Sequence, residues 1–169
     1  MPADLSRRAG LALAAALALV PAASGAAVPL PQFDPVAFFA GRTEGIGKVS
    51  KMLSPTRASK VVGHGQVRAN GTLVLDQTVE IEGSKPQVRQ WQLHEVAAGH
   101  FRGTLSDASG PVVADVDGGR LLIHYPMPGG MKVEAVLTIA AGGQSAHNQM
   151  KVTKFGLTVA SIDETIRRG

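Results

Sequence analysis

The sequence predicts an all-β domain, an antiparallel up-and-down β-barrel of about eight to ten strands with a short C-terminal helix. Three observations carry this. From Arg42 onward apolar residues recur with a period of two, as in Thr72–Glu82, where Leu73, Leu75, Val79 and Ile81 share one face and Asp76, Thr78, Glu80 and Glu82 the other. Turn signals separate successive alternating segments. Closure into a barrel then leaves no strand edge unpaired.

In chain order, the first segment is of a different kind. Arg7 and Arg8 precede an uncharged run from Ala9 to Val20, followed by Pro21 and small residues to Ala27. Basic, apolar and small-residue regions in that order are the layout of a secretory signal peptide, cleaved between Ser24 and Ala27. The apolar run is shorter than the roughly 20 residues a membrane span takes. Residues 1–27 are therefore expected to be a signal peptide, and residues 28–169 a single domain that is periplasmic or secreted.

Pro29, Pro31 and Pro35 make Val28–Pro35 an extended arm. Val36–Ala40 forms one helical turn with Asp34 as its cap and Pro35 at its first position, ended by Gly41. Asn70-Gly71 is a strong hairpin signal and pairs Thr56–Arg68 with Thr72–Glu82. Gly83–Pro86 leads into Gln87–Val96. His100–Asp107, Pro111–Asp117 and Arg120–Met127 follow, split by Ser109-Gly110 and Asp117–Gly119. Pro128–Gly130 opens the segment from Met131 to Ile139, and Gly142-Gly143 precedes Ala146–Phe155. In the tail, Ser161 with Glu164 three residues on reads as a capping box, and basic residues follow at the end, so Ser161–Arg168 is assigned to a helix.

Charge and composition exclude several functions. The chain has 17 basic and 13 acidic side chains; without Arg7, Arg8 and Asp4 the remainder has 15 and 12. The basic residues are scattered, and with one Trp, one Tyr and five Phe there are few stacking platforms, so nucleic-acid binding is not indicated. There is no cysteine, which removes disulfides, thiol nucleophiles and thiolate metal sites. No G-x-S-x-G elbow occurs, and His64, His94, His100, His124 and His147 never pair at metal-ligand spacing. The glycine pairs lie between or within strands rather than before helices, so no dinucleotide or phosphate cradle forms. Catalytic, metal and cofactor residues are accordingly none. The carboxylate pairs Asp115/Asp117 and Glu80/Glu82 read as the wet face of a half-buried sheet.

What remains are polar residues that interrupt apolar faces. Gln77 lies between Leu75 and Val79, Arg89 shares a face with Trp91, and Asn148, Met150 and Val152 share one with Lys154. An inward polar group must be hydrogen-bonded or face a cavity. Two readings follow: either Arg42, Arg89 and Lys154 pair with Asp107 or end carbonyls and plug a filled barrel, or they meet a ligand headgroup at a barrel mouth.

F-F-x-G-R-T-x-G-x-G at Phe38–Gly47, R-x-W at Arg89–Trp91, F-x-G-x-x-x-D-x-x-G at Phe101–Gly110, Tyr125 and N-x-M-x-x-x-K-F-G at Asn148–Gly156 resemble the domain-of-unknown-function 3833 family of bacterial envelope proteins. The resemblance spans about residues 36–168. It implies a lipocalin-type or calycin-like barrel with a lipid-linked role and no transferable activity. The chain departs from the family in lacking a lipoprotein cysteine and in having Leu137–Gln144 where an acidic and aromatic cluster is usual.

Together these readings give a barrel that binds a small apolar or acyl-bearing, fatty-acid-like or lipid ligand in the cell envelope, lined by Arg42, Arg89, Trp91, Tyr125, Asn148 and Lys154. Trp91, Leu73, Leu75 and Tyr125 would contact the chain. Peripheral membrane association stays open. The alternative is a structural or interaction protein with a filled barrel, and a lipid-acting enzyme ranks last. If the first and last strands meet, Phe38–Gly47 and Asn148–Gly156 are expected to be neighbours, with Arg42 and Lys154 near one seam.

Overall fold

In the computed structural model, residues 31–169 are described. The expected signal peptide and the first residues of the proline arm lie outside them. Ten antiparallel strands close into one barrel in the order β1-β10-β9-β8-β7-β6-β5-β4-β3-β2. The strands are β1 Gly41–Lys51, β2 Arg57–Val67, β3 Leu73–Ile81, β4 Gln87–Ala97, β5 His100–Leu105, β6 Val112–Asp117, β7 Arg120–Met127, β8 Met131–Ile139, β9 Ser145–Lys154 and β10 Leu157–Arg168. Each strand pairs with its sequence neighbour, as a meander requires. The β2–β3 hairpin forms around Asn70-Gly71 in the expected register, with Val67 opposite Leu73.

The helical turn α1, Pro35–Phe39, is capped as expected: the Asp34 carboxylate accepts a hydrogen bond from the Ala37 N–H at 2.9 Å. Phe33 N–H donates to the Gly118 carbonyl, which ties the arm to the β6–β7 turn. Phe33, Phe38 and Phe39 are buried, with ring centroids 5.3 and 5.0 Å apart, and stopper one end of the barrel. Gly65 makes the room, because a Cβ there would overlap the Phe39 carbonyl.

Three expectations are corrected. Ser161–Arg168 is not a helix but the greater part of β10. Its alternation puts Ile162, Glu164 and Ile166 inward, and pairing on both sides satisfies the edges of β1 and β9, which outweighs local helix propensity. The Phe38–Gly47 and Asn148–Gly156 segments are not neighbours, since β10 lies between β1 and β9. Arg42 and Lys154 consequently sit at opposite ends of the barrel: Lys154 pairs with Leu157 at the start of β10, while Thr43 pairs with Arg168 at its end.

The seam between β1 and β10 explains the glycines of the first strand. Gly47 lies opposite Glu164, and a Cβ on Gly47 would overlap the Glu164 Cβ and the Asp163 carbonyl. A Cβ on Gly45 would stand 2.8 Å from Glu164 Oε2. Cross-strand Cβ atoms ordinarily stand about 4.5–5.5 Å apart, so the sheet coils here more tightly than two side chains allow. Gly47→Ala is therefore expected to lower stability by about 1–3 kcal/mol in urea unfolding. Gly142→Ala, where a Cβ meets nothing within 4 Å, is expected to stay within about 0.5 kcal/mol of the parent. Equal effects would refute the seam argument.

Candidate functional site

With one end stoppered, the interior opens at the other, among the turns β1–β2, β3–β4, β5–β6, β7–β8 and β9–β10. A cavity of about 530 Å³ lies there, walled by residues that include Ser59, Val61, Val79, Arg89, Tyr125, Met150, Ile162 and Glu164. Beneath it a pocket of about 50 Å³ is lined by Gln77, Trp91, Asn148 and Phe39 and shares Arg89, Met150 and Glu164 with the cavity. The volume of the outer chamber falls in the range of small-molecule sites, about 300–1,000 Å³. A larger groove of about 940 Å³ runs outside the barrel beside Phe33 and Val36 and shares no lining residue with this interior.

The chemistry of the site sits where the two chambers meet. Gln77 Oε1 accepts from Arg89 Nε at 2.9 Å and from Trp91 Nε1 at 2.8 Å. This fixes both side chains from one acceptor, an arrangement that β3–β4 pairing of Gln77 with Arg89 and of Leu75 with Trp91 makes possible. The guanidinium stands 5.6 Å from the Trp91 ring centroid, and Tyr125 meets Trp91 edge to face at 5.5 Å. With Nε committed to Gln77, the terminal nitrogens of Arg89 form no hydrogen bond and no ion pair among the described residues.

On the facing wall, Asn148 Nδ2 donates to Glu164 Oε1 at 2.8 Å, and both side chains are buried. Burial pushes the Glu164 carboxyl above its ordinary value, with Asn148 and the Arg89 charge opposing the shift. Burial likewise raises the Tyr125 hydroxyl, opposed by Arg89 and reinforced by Asp107. Ser59 Oγ and Asn148 Oδ1 are buried without a hydrogen-bond partner among the described residues.

The expected lining residues divide into three groups. Arg89 and Tyr125 line the open cavity, and Trp91 and Asn148 line the pocket beneath it. Arg42 does not join them: it is exposed at the stoppered end and bonds Glu44 at 2.9 Å. Lys154 stands on the rim with its ammonium 5.5 Å from the Phe155 ring centroid. Glu164 is the residue that sequence reasoning missed. Its signal was present in Ala160, Ile162, Glu164 and Ile166, a period of two that places a carboxylate on an apolar face. The carboxylates Glu80, Glu82 and Asp117 face solvent, and Asp115 pairs with His100 at 2.8 Å on the outer surface. No cluster of three metal-ligating side chains forms among the described residues.

An antiparallel barrel plugged at one end and hollow at the other, with a charged group on the cavity floor, is a lipocalin-like architecture. The chain belongs to the family described as protein of unknown function (DUF3833), whose sequence profile matches residues 20–168. No curated protein matches it. Among solved structures it is similar to the S-type phycobiliprotein lyase CPES from Guillardia theta, with a TM-score of 0.62 at 7% identity, covering 79% of this chain and 90% of that one. It is also similar to a protein of unknown function of the DUF3598 family from Nostoc punctiforme, with a TM-score of 0.62 at 13% identity, covering 86% of this chain and 53% of that one. At such identities the likeness establishes the fold.

Glu164 makes stability depend on pH in a definite direction. Its folded pKa lies above the unfolded value of 4.5, so the folded protein binds that proton more tightly. Its stabilising contribution is complete below pH 4.5 and is lost as pH rises through the folded pKa. In urea unfolding from pH 4.5 to 7, the parent is expected to lose stability relative to Glu164→Gln. A constant difference between the two proteins would show that the carboxyl is not perturbed.

Proposed function

We propose that this protein binds a small amphipathic molecule, an acyl chain with an anionic head, in the open chamber of the barrel, and that it does so in the cell envelope after export directed by residues 1–27. The observation that carries the binding reading is Arg89. A guanidinium held by Gln77 and Trp91, with its terminal nitrogens uncommitted, sits on the floor of a cavity whose walls are mostly aliphatic. Charge-assisted hydrogen bonds to a carboxylate or phosphate are the strong kind, and Arg can make two in parallel.

The rest of the lining supports the same occupant. A Glu164 carboxyl shifted toward its neutral form competes less for Arg89, which leaves the cation to the ligand. Val61, Val79, Met150, Val152 and Ile162 offer apolar wall to a chain running from Arg89 to the mouth. The two unpartnered atoms, Ser59 Oγ and Asn148 Oδ1, offer further polar contacts. A filled barrel would lack the 530 Å³ chamber, so the structural alternative has less in its favour. A lipid-acting enzyme has less support, since Ser59 and Glu164 of the chamber wall form no hydrogen bond with each other among the described residues.

Trp91 reports directly on this site. Titration with a long-chain fatty acid is expected to change its fluorescence. Arg89→Gln is expected to weaken binding about 10- to 100-fold, the worth of a charge-assisted hydrogen bond of about 1.5–3 kcal/mol, while Arg42→Gln leaves it unchanged. Unchanged fluorescence, together with no acyl species by mass spectrometry of the purified protein, would overturn the reading.

A further inference from the structure

Five of the eight large apolar side chains exposed among the described residues gather at the open end: Met52, Leu53, Val88, Phe155 and Leu157. Leu53 is 100% exposed and Phe155 89%. Both have positive φ, 59° and 51°, and they are the only non-glycine residues among those described that do. Phe155 and Gly156, with φ 51° and 79°, form the two-residue turn between Lys154 and Leu157. In such turns the first position favours Asn, Asp or Gly. Turn chemistry does not account for an aromatic ring or a leucine at these positions, and packing offers the Phe155 ring only the neighbouring Lys154 ammonium; each is held in an unfavourable backbone conformation and points into water.

The two turns belong together. β1 pairs with β10 and β10 with β9, and the Met52 N–H donates to the Val159 carbonyl at 2.9 Å. Their flanks are cationic. Lys51, Arg57 and Lys154 bracket the two turns, which carry no carboxylate. Of the acidic residues of the open-end turns, Asp107 lies in the β5–β6 turn across the barrel, while Glu82 of the β3–β4 turn stands beside Arg57. The Glu82 carboxylate accepts from the Ala58 N–H at 3.3 Å and its backbone carbonyl from the Arg57 guanidinium at 3.4 Å, so the three cations of the two turns face one carboxylate.

We infer that the open rim docks on an anionic lipid bilayer, with Leu53 and Phe155 entering the acyl boundary and Lys51, Arg57 and Lys154 meeting headgroup phosphates. Exposed apolar tips ringed by lysine and arginine match the two-layered chemistry of that surface, apolar beneath and negative above. A protein partner of opposite charge would match the cations alone. The docking stands on the rim; its purpose, passage of an acyl lipid between bilayer and chamber, rests on the binding reading above. With the mouth against the membrane, a lipid headgroup is the part nearest the protein, so entry is head-first and brings the anionic end to Arg89 without reversing the molecule.

The test uses the protein purified with the N-terminus the cell leaves it, in co-sedimentation with phosphatidylcholine vesicles with and without phosphatidylglycerol. The parent is expected to bind the anionic vesicles, less so at high salt. The double variant Leu53→Asn/Phe155→Asn is expected to bind about tenfold or more weakly. Asn tolerates positive φ, so this variant is expected to melt no lower than the parent, which separates lost docking from lost folding. Equal vesicle binding by parent and variant, or no binding by the parent, would overturn the docking. So would a parent that is dimeric where the variant is monomeric, since the patch would then be a contact between copies. Fatty-acid titration of Trp91 keeps the two readings apart: the double variant is expected to bind the fatty acid as the parent does, while Arg89→Gln binds it more weakly and still binds vesicles.

Discussion

Everything in this barrel depends on the β1–β10 seam. A ten-stranded meander has two free edges until its first and last strands pair, and each edge left open would expose a row of backbone donors and acceptors. Closure here demands a tight coil where β1 crosses Glu164. Gly45 and Gly47 provide it by presenting no side chain to that carboxylate. The Phe38–Gly47 motif is therefore in part a seam motif: Gly45 and Gly47 accommodate a residue more than a hundred positions later.

Closure also sets the division between the two ends. The α1 plug, with Phe33, Phe38 and Phe39, fills one mouth, where Gly65 admits the chain. No such element covers the other mouth among the described residues. Between them, inward polar groups form a triad and a facing pair: Gln77 with Arg89 and Trp91 on β3–β4, and Asn148 with Glu164 on β9–β10. Gln77 and Asn148 orient the charged members, so the interior is shaped before any ligand arrives. This preorganisation is what lets one guanidinium serve as a receptor, because the ordering of its long side chain has already been met by folding.

Much of this was legible in sequence. Period-two alternation placed the inward faces correctly, so that Leu73, Leu75, Trp91, Tyr125 and Met150 are all buried. The Asp34 cap and the Asn70-Gly71 hairpin are local devices with local signals, and both appear as read. The tail reads as a helix because Ser161 and Glu164 fit a capping box, and the partner that decides for a strand, β1, lies at the other end of the chain. The same local pattern hides Glu164, because a carboxylate in a capping box is exposed at a helix end whereas on β10 it faces the interior. The expectation that Arg42 and Lys154 share one seam has the same origin: without β10 as a strand, β1 and β9 become neighbours, and even then the two strands would run parallel and hold the two cations at opposite ends. Long-range pairing, not local pattern, governed each error.

The central claim is that the open chamber receives an acyl anion whose head lies on Arg89. A crystal structure of the protein grown with a long-chain fatty acid tests it most directly. The account predicts a carboxylate within hydrogen-bonding distance of the Arg89 terminal nitrogens, with the chain running past Met150 and Ile162 to the mouth. A chamber whose side chains have closed over one another, or an acyl chain bound only on the outer surface, would contradict it.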